Sequence, residues 1–505
     1  MMHLIQAFLL FILPEALCVP SSSGNSSENV IRLTYQGDSP ARPIAKDIAA
    51  LSIEFCYIAD YLGDIGHPNS LSLALLQNIE DIADAPPVIR IGGHTQDTAS
   101  FCADCLQTLN NTFAPGNDEA IAVNFNKGLF TVLNDNVPSR QEFIFGLNFA
   151  SNDVAIPLAE VEAAEKYMHP CRLRAYELGN EPDFYGSSQR PRPWTVDQYV
   201  AEQEQWIGQL ELKTRKGFSI GALAQLPVWQ GNFSLAEIVD LGLPRKIDYA
   251  ASLSDHTYPY SRCDPVREAQ VSLSGLMNHT ALVQYFSQWA PEIKAANDAG
   301  VPFLMGETGS VSCHGVQGVS NTLGAALWEL DYMLHGASIG MSGVYFHMGT
   351  PFYYSMWQPV PHNGTPATVY PTYYSLLFMA TVLTLNDPQI ASIPVTDPNL
   401  AVYALYEGSP SVTARPERII ILNMGVLESN LGGPIAPATS IDVSQLLGDR
   451  TKITRLSGPG SDATSGATFA GQNYDSGRPS GKKVVEKAEG IVTVRSSEAV
   501  IVEKG

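Results

Sequence analysis

The chain is poor in charge, and in positive charge most of all. Only 16% of its 505 residues are Asp, Glu, Lys or Arg, and 30 basic side chains stand against 51 acidic ones. A formal net charge of −21 repels the phosphates of nucleic acids and of anionic membranes, so a general binder of either is excluded. No uninterrupted apolar run reaches the roughly 18 residues that a membrane-spanning helix needs. No GxGxxG follows a strand-like run, which removes the usual dinucleotide-binding signal. The pair Cys102-x-x-Cys105 lacks a second CxxC or a His pair at ligand spacing, so no zinc site, and no metal or cofactor of any kind, is expected.

What is present is a large apolar fraction, 45%, enough to bury one big domain and a smaller one. The opening MMHLIQAFLLFILPEALC carries an apolar run from Leu4 to Leu13 followed by small residues, which reads as a signal peptide over residues 1–18. Asn25, Asn110, Asn232, Asn278 and Asn363 each begin an N-x-S/T triplet, so the mature protein is expected to be secreted, extracellular and glycosylated. Once Cys18 leaves with the leader, six cysteines remain: Cys56, Cys102, Cys105, Cys171, Cys263 and Cys313. An even number in an oxidising compartment suggests disulfides, and the sequence leaves their pairing open.

From about residue 48 to 348 the chain repeats a short β-rich run, a polar loop and a longer helical stretch. The runs are ALSIEF (50–55), PVIRIGG (87–93), EFIFGLNF (142–149), RAYELGNE (174–181), GFSIGALA (217–224), DYAASLSDHTY (248–258), VPFLMGE (301–307) and SGVYFH (342–347). Helix-like segments fall between them at 158–168, 196–212 and 280–298. Eight such units predict an α/β fold of the (β/α)8 TIM-barrel type over residues 19–384. After about 385, runs such as LAVYALYE (400–407), ERIIILNM (417–424) and GIVTVRSSEAVIVEK (490–504) alternate with Gly, Pro, Ser and Thr clusters, which predicts a C-terminal antiparallel β-sandwich over 385–505. The early run VIRLTYQ (30–36) is expected to add a strand to it.

In such a barrel the active site lies at the C-terminal ends of the strands. Glu181, in YELGNEPDFYG, closes the fourth run, and Glu307, in VPFLMGETGS, closes the seventh. Alone, Glu-Pro after a strand also suits a helix start, with the acid at the positive helix end. Together the two carboxylates meet the needs of glycoside hydrolysis, one donating a proton to the leaving oxygen and the other attacking the anomeric carbon. GFSIG (217–221) and GASIG (336–340) match the G-x-S-x-G elbow of serine hydrolases, but neither has a strand before and a helix after its serine.

The pair resembles that of carbohydrate hydrolases whose catalytic carboxylates sit on barrel strands four and seven. More narrowly, SIEF (52–55), VIRIGGHTQD (88–97), ELGNEPD (177–183), DHTYPY (255–260), MGETGSVSCHG (305–315) and the stretch 318–347 resemble glycoside hydrolase family 79. That family contains β-glucuronidases, 4-O-methyl-glucuronidases and heparanases, and its fungal members carry a β-domain after the barrel. The resemblance implies that Glu181 is the acid/base and Glu307 the nucleophile of a retaining, exo-acting enzyme releasing β-linked glucuronic or 4-O-methyl-glucuronic acid from polysaccharide or proteoglycan side chains. Its partner is then a uronic-acid-bearing glycan, and the protein is expected to act as a monomer or homodimer. An endo-acting, heparanase-like hydrolase and an inactive glycan-binding protein are the alternatives.

The neighbours have two readings each. Asn180 hydrogen-bonds the sugar 2-hydroxyl or caps the following helix. Glu54 binds sugar hydroxyls or pairs with Arg90. Tyr258 holds Glu307 ionised; His256 and His347 close strands as site or core histidines; Gln96 and Asp97 line the pocket or fix a loop. Family glucuronidases use a tyrosine in the loop after the nucleophile to bind the substrate carboxylate, and here that loop, GSVSCHG (309–315), has none. His314 could supply the missing donor, and Cys313 could anchor the loop through a disulfide or remain free. The aromatic stretch 351–359, with Tyr370, Tyr373 and Tyr374, either stacks on sugar or seals the barrel against the second domain.

Overall fold

The computed structural model describes residues 30–34, 41–227, 233–408, 414–431 and 437–505. The leader and the sequons at Asn25 and Asn232 lie outside the described residues.

The eight β-rich runs form a closed, all-parallel barrel in chain order: β1 (Ala49–Glu54), β2 (Ile89–Gly92), β3 (Phe143–Leu147), β4 (Leu173–Leu178), β5 (Gly217–Leu223), β6 (Ala250–Thr257), β7 (Phe303–Thr308) and β8 (Gly343–Met348). β8 pairs back onto β1, with Val344 opposite Ala49, so no edge remains. Apart from the first two residues of β6 and Arg174 in β4, every barrel-strand residue is buried, because one face meets the helical ring and the other the barrel interior.

Helices occupy the expected places with shifted ends. Ala155–Tyr167 and Val196–Leu210 are continuous, the second opening on a capping box between Thr195 and Gln198. The stretch expected over 280–298 is instead two helices, His279–Phe286 and Ala290–Ala299, joined by a tight turn. Pro291 has no N–H to give and crowds the preceding turn, which breaks the run. Between β2 and β3 the chain makes an excursion that no periodicity announces. It is a small sheet of Ala99–Phe101, Leu109–Phe113 and Ala120–Phe125 standing at the barrel mouth.

The C-terminal strands build a large sheet that includes β9 (Pro388–Ser392), β10 (Leu400–Glu407), β11 (Arg418–Asn423) and β13 (Thr451–Ser457). A three-stranded sheet lies against it, formed by Ile31–Arg32, β12 (Ala438–Asp442) and β14 (Ile491–Arg495), and the Ile31–Arg32 pairing is parallel in an otherwise antiparallel domain. The run 490–504 divides: after β14 the chain turns at Ser497, in the left-handed region, and crosses into the large sheet as β15 (Glu498–Lys504). Ser497 Oγ fixes that crossing by accepting the Leu427 N–H at 3.2 Å and donating to Gly425 O at 2.9 Å.

The large sheet is buried on both faces. Tyr403, Leu405, Ile420, Leu422, Ala499 and Ile501 join the barrel's core, while Val402, Ala404, Ile419, Ile421, Val500 and Val502 join the core between the two sheets. This explains why residues 419–422, IIIL, are apolar without a gap: at a period of two, both sets of alternate residues need an apolar partner. Ile420→Ala and Ile421→Ala should therefore open cavities in separate cores, each costing about 2–5 kcal/mol and adding nearly independently in denaturant unfolding.

Candidate active site

At the C-terminal mouth of the barrel lies a cavity of about 840 Å³, lined in part by Glu54, His94, Asn180, Glu181, His256, Tyr258, Glu307, His347 and Tyr354. Its floor is organised by Arg90, a charge set between isoleucines in β2 and fully buried. The guanidinium donates Nε to Glu177 Oε1 at 2.7 Å, and Nη2 lies 2.6 Å from the same oxygen. Nη1 donates to Glu307 Oε2 at 2.9 Å and to Ser52 Oγ at 3.0 Å, and Nη2 to Asn180 Oδ1 at 2.9 Å. All five guanidinium hydrogens are thus engaged.

Glu54 does not pair with Arg90. It accepts the Thr95 N–H at 2.8 Å, bonds the Thr95 hydroxyl, and meets His347 Nε2 at 3.3 Å. The close approach needs Gly93, at φ +79°, where a Cβ would fall 2.3 Å from Glu54 Oε2. The other face of His347 bonds Ser52 Oγ at 2.9 Å and lies 3.6 Å from Glu307 Oε2. Tyr258 donates its hydroxyl to Glu307 Oε1 at 2.8 Å.

Glu181 follows β4 in the left-handed region, φ 50° and ψ 49°, a conformation costly for a residue with a Cβ and one that gathers at functional sites. Its N–H is tied to Ala222 O at 2.9 Å, and its Oε1 sits 3.4 Å from His256 Nδ1. Asn180 does not cap the following turn. Its Oδ1 is taken by Arg90 and its N–H by Asp97 Oδ2 at 3.0 Å, which leaves the amide Nδ2 facing the cavity.

The expectations for Gln96 and His314 need correction, and Asp97 takes the loop-fixing one of its two readings. Gln96 is fully buried, with its Nε2 directed at Glu177 O, and it is not part of the cavity wall. Asp97 is a loop fastener, accepting from the Tyr185 hydroxyl and from the N–H groups of Phe149, Ala150 and Asn180. His314 does reach the cavity, but its ring stacks on Phe352 at 4.0 Å, and both nitrogens face carboxylates: Nε2 to Glu119 Oε1 at 3.0 Å and Nδ1 to Asp118 Oδ2 at 3.5 Å. It is a strut between the β7 loop and the excursion after β2, with no nitrogen left for a substrate carboxylate. Cys313 is disulfide-bonded to Cys263, Cys102 to Cys105, and Cys56 and Cys171 are free thiols. Of the aromatic residues, Tyr354 lines the cavity, whereas Tyr373 and Tyr374 pack on Tyr474 of the β-domain.

The electrostatics separate the two carboxylates. Burial and the charge of Glu307 push Glu181 up to about 8. Burial also works against an ionised Glu307, but His347, His256, Arg90 and the Tyr258 hydroxyl outweigh it and hold Glu307 at about 2. Burial and Arg90 push His256 down to about 4, so it is neutral near pH 6, and the charge that keeps Glu307 ionised comes from Arg90 and His347. Glu181, His256 and Glu307 bring one ligand atom each within 4.8 Å of one another, a spacing that a metal ion would tolerate. The proton on Glu181 and the guanidinium on Glu307 oppose a cation there.

Sequence reasoning missed Glu177, Asp118, Glu119 and Phe184. The signal for Glu177 was available: Arg90 and Glu177 are opposite charges inside two apolar barrel strands, and neither can be buried alone. Arg90→Met should therefore strand two carboxylates and cost about 3–5 kcal/mol in chemical denaturation, far more than a surface arginine would.

Residues 402–501 match the model of the glycosyl hydrolase family 79 C-terminal β-domain. Over 482 residues, 88% of this chain and 86% of the relative, the sequence is 29% identical to a β-glucuronidase of Aspergillus niger. A β-glucuronidase of Neurospora crassa is also 29% identical, over 89% of both chains. Among solved structures, the 4-O-α-L-rhamnosyl-β-D-glucuronidase of Fusarium oxysporum 12S superposes with a TM-score of 0.80 at 25% identity, covering 94% of this chain and 99% of that one. The α-L-arabinofuranosidase of Thermotoga maritima, at 13% identity and a TM-score of 0.57, shares the fold. The β-domain match and the likeness along nearly the whole chain agree with the barrel and its paired carboxylates: the chain is a glycoside hydrolase, similar along most of its length to fungal β-glucuronidases and carrying a C-terminal domain of the glycosyl hydrolase family 79 type.

Proposed function

We propose that this hydrolase is a retaining, exo-acting β-glucuronidase in which Glu181 is the acid/base and Glu307 the nucleophile. The observation that carries the reading is the pair itself. An oxygen of each carboxylate lies within 4.8 Å of the other, close to the roughly 5–5.5 Å of retaining enzymes, and one is held protonated while the other is held ionised.

In the first step Glu307 attacks the anomeric carbon as Glu181 passes its proton to the departing oxygen. The bond from the anomeric carbon to that oxygen breaks, and a covalent sugar ester on Glu307 forms. Esterification removes the charge of Glu307, so the pKa of Glu181 falls and its carboxylate takes a proton from the attacking water. Asn180 Nδ2 is placed to hold the 2-hydroxyl, and Glu54 to accept from hydroxyls further round the ring. The names of the fungal relatives and of the Fusarium enzyme support a β-linked glucuronic acid as the sugar.

Exo action is supported by the strut at His314, which joins the β7 loop to the excursion after β2 across the cavity wall. An endo-enzyme acting on sulfated chains would need a basic groove there, and the wall carries Asp118 and Glu119 instead. Secretion is supported by the apolar leader, the two disulfides and the exposed positions of Asn110, Asn278 and Asn363.

The test is release of 4-nitrophenol from its β-glucuronide. Wild type should turn over, Glu307→Gln should not, and Glu181→Gln should lose about 10²–10⁴-fold on substrates with poor leaving groups. Silence of folded wild type on this substrate, with activity on long sulfated glycans, would favour an endo-enzyme; binding without turnover would favour a glycan-binding protein. In kcat/KM the acid limb follows protonation of Glu307 near pH 2, and the alkaline limb follows loss of the Glu181 proton near pH 8. Tyr258→Phe removes a hydrogen bond to the ionised form of Glu307, raises its pKa, and should move the acid limb upward while leaving the alkaline limb in place.

A further inference from the structure

We propose that Arg267 binds the substrate's carboxylate and thereby sets the preference for a uronic acid over a neutral sugar; the proposal rests on the glucuronidase reading above. A uronate carries its charge into a cavity whose wall already holds Glu54, Asp118, Glu119, Glu181 and Glu307. A carboxylate desolvated there without a partner would be strongly disfavoured, and with no tyrosine in the loop after Glu307 a cation is the strongest donor left to meet it.

The basic groups around the cavity are few, and most are committed. Arg90 lies beneath the floor with every hydrogen used. His347 is held between Ser52, Glu54 and Glu307, His256 faces Glu181, and His314 spans Asp118 and Glu119. His94 also lines the cavity, but an imidazole cannot offer a carboxylate the two parallel N–H groups that a guanidinium can. Arg267 also lines it and is charged at every working pH. One of its Nη2 hydrogens goes to Tyr258 O at 2.8 Å, and it forms no ion pair among the described residues.

The position is built rather than incidental. Tyr260–Ser261 pairs with Val311–Ser312, and Cys263 is bonded to Cys313, so the loops after β6 and β7 form one ribbon. The short turn Pro265–Glu268 hangs Arg267 from this ribbon, and the bond to Tyr258 O fixes the guanidinium one residue away from β6. Tyr258 in turn holds Glu307, so Arg267 and the nucleophile share a support. Ser261, Ser312 and Cys313 complete that wall. A planar guanidinium with free N–H groups matches a carboxylate in two-pronged fashion, which a histidine cannot.

The experiment compares wild type, R267Q and R267K on 4-nitrophenyl β-D-glucuronide, with free D-glucuronate and D-glucose as competing ligands. R267Q should raise KM for the glucuronide and Ki for D-glucuronate by about 10- to 100-fold, the usual weight of a charged hydrogen bond, while Ki for D-glucose stays unchanged. R267K should recover part of the loss. Thermal-stability shifts on adding each sugar give the same comparison for a variant that no longer turns over. An unmoved Ki for D-glucuronate in R267Q overturns the proposal. So does equal weakening of both sugars, which would make Arg267 a support for Tyr258 alone. Wild type that ignores the glucuronide would remove the parent reading instead, a result visible before any variant is made.

Discussion

The site depends on one guanidinium. Arg90 starts an alternating series of buried charges: Glu177, Arg90, Glu307, His347 and Glu54, each within 3.6 Å of the next. Three carboxylates in a barrel floor would repel one another. Interleaved with two cations, each meets an opposite charge, and each contact is bonded closely enough to offset much of its desolvation. Glu181 stands outside this series. Its nearest basic neighbour is His256, which is neutral at mildly acidic pH, and so it meets the field of Glu307 without a cation of its own. Two glutamates of the same intrinsic acidity thereby become an acid and a carboxylate.

Backbone geometry supports the same division. Glu307 is carried inside β7, where neighbouring strands fix it, and its carboxylate is aimed by Arg90 and Tyr258. Glu181 sits beyond the end of β4 in a left-handed turn, with 29% of its side chain exposed toward the cavity. That position suits a group that must meet both a leaving oxygen and a water. Asp97 and Asp183 secure the turn from either side, Asp97 through Asn180 N and Asp183 through the N–H groups of Ala224 and Gln225.

Much of this was legible in the sequence. The barrel showed because each strand is a short apolar run between polar loops, and the paired carboxylates showed because both end such runs. The legible part stops where contacts are made between distant loops. The excursion between β2 and β3 has no clear period, so nothing in Asn117-Asp118-Glu119 announces that it will face His314, nearly two hundred residues later. Glu54 illustrates a different limit. Arg90 lies one strand away and looked like its natural partner, but the guanidinium reaches across the barrel to β4 and β7, and a histidine from β8 takes its place. Sequence gives the sign of a buried charge more readily than its partner.

The charge series also bears on how one residue serves both halves of a double displacement. While Glu307 is ionised, its field opposes a second negative charge on Glu181. When Glu307 becomes an ester that field vanishes, but Arg90 and His347 remain, and Arg90 still acts to favour the ionised form of Glu181. The pKa of Glu181 therefore falls at the moment when a base is needed, without movement of the backbone. On release of the sugar the Glu307 charge returns and Glu181 is reprotonated. The cycle is driven by the nucleophile's own change of charge against a fixed background of cations, which is why the floor of the barrel must be rigid and the turn carrying Glu181 must be close enough to feel it.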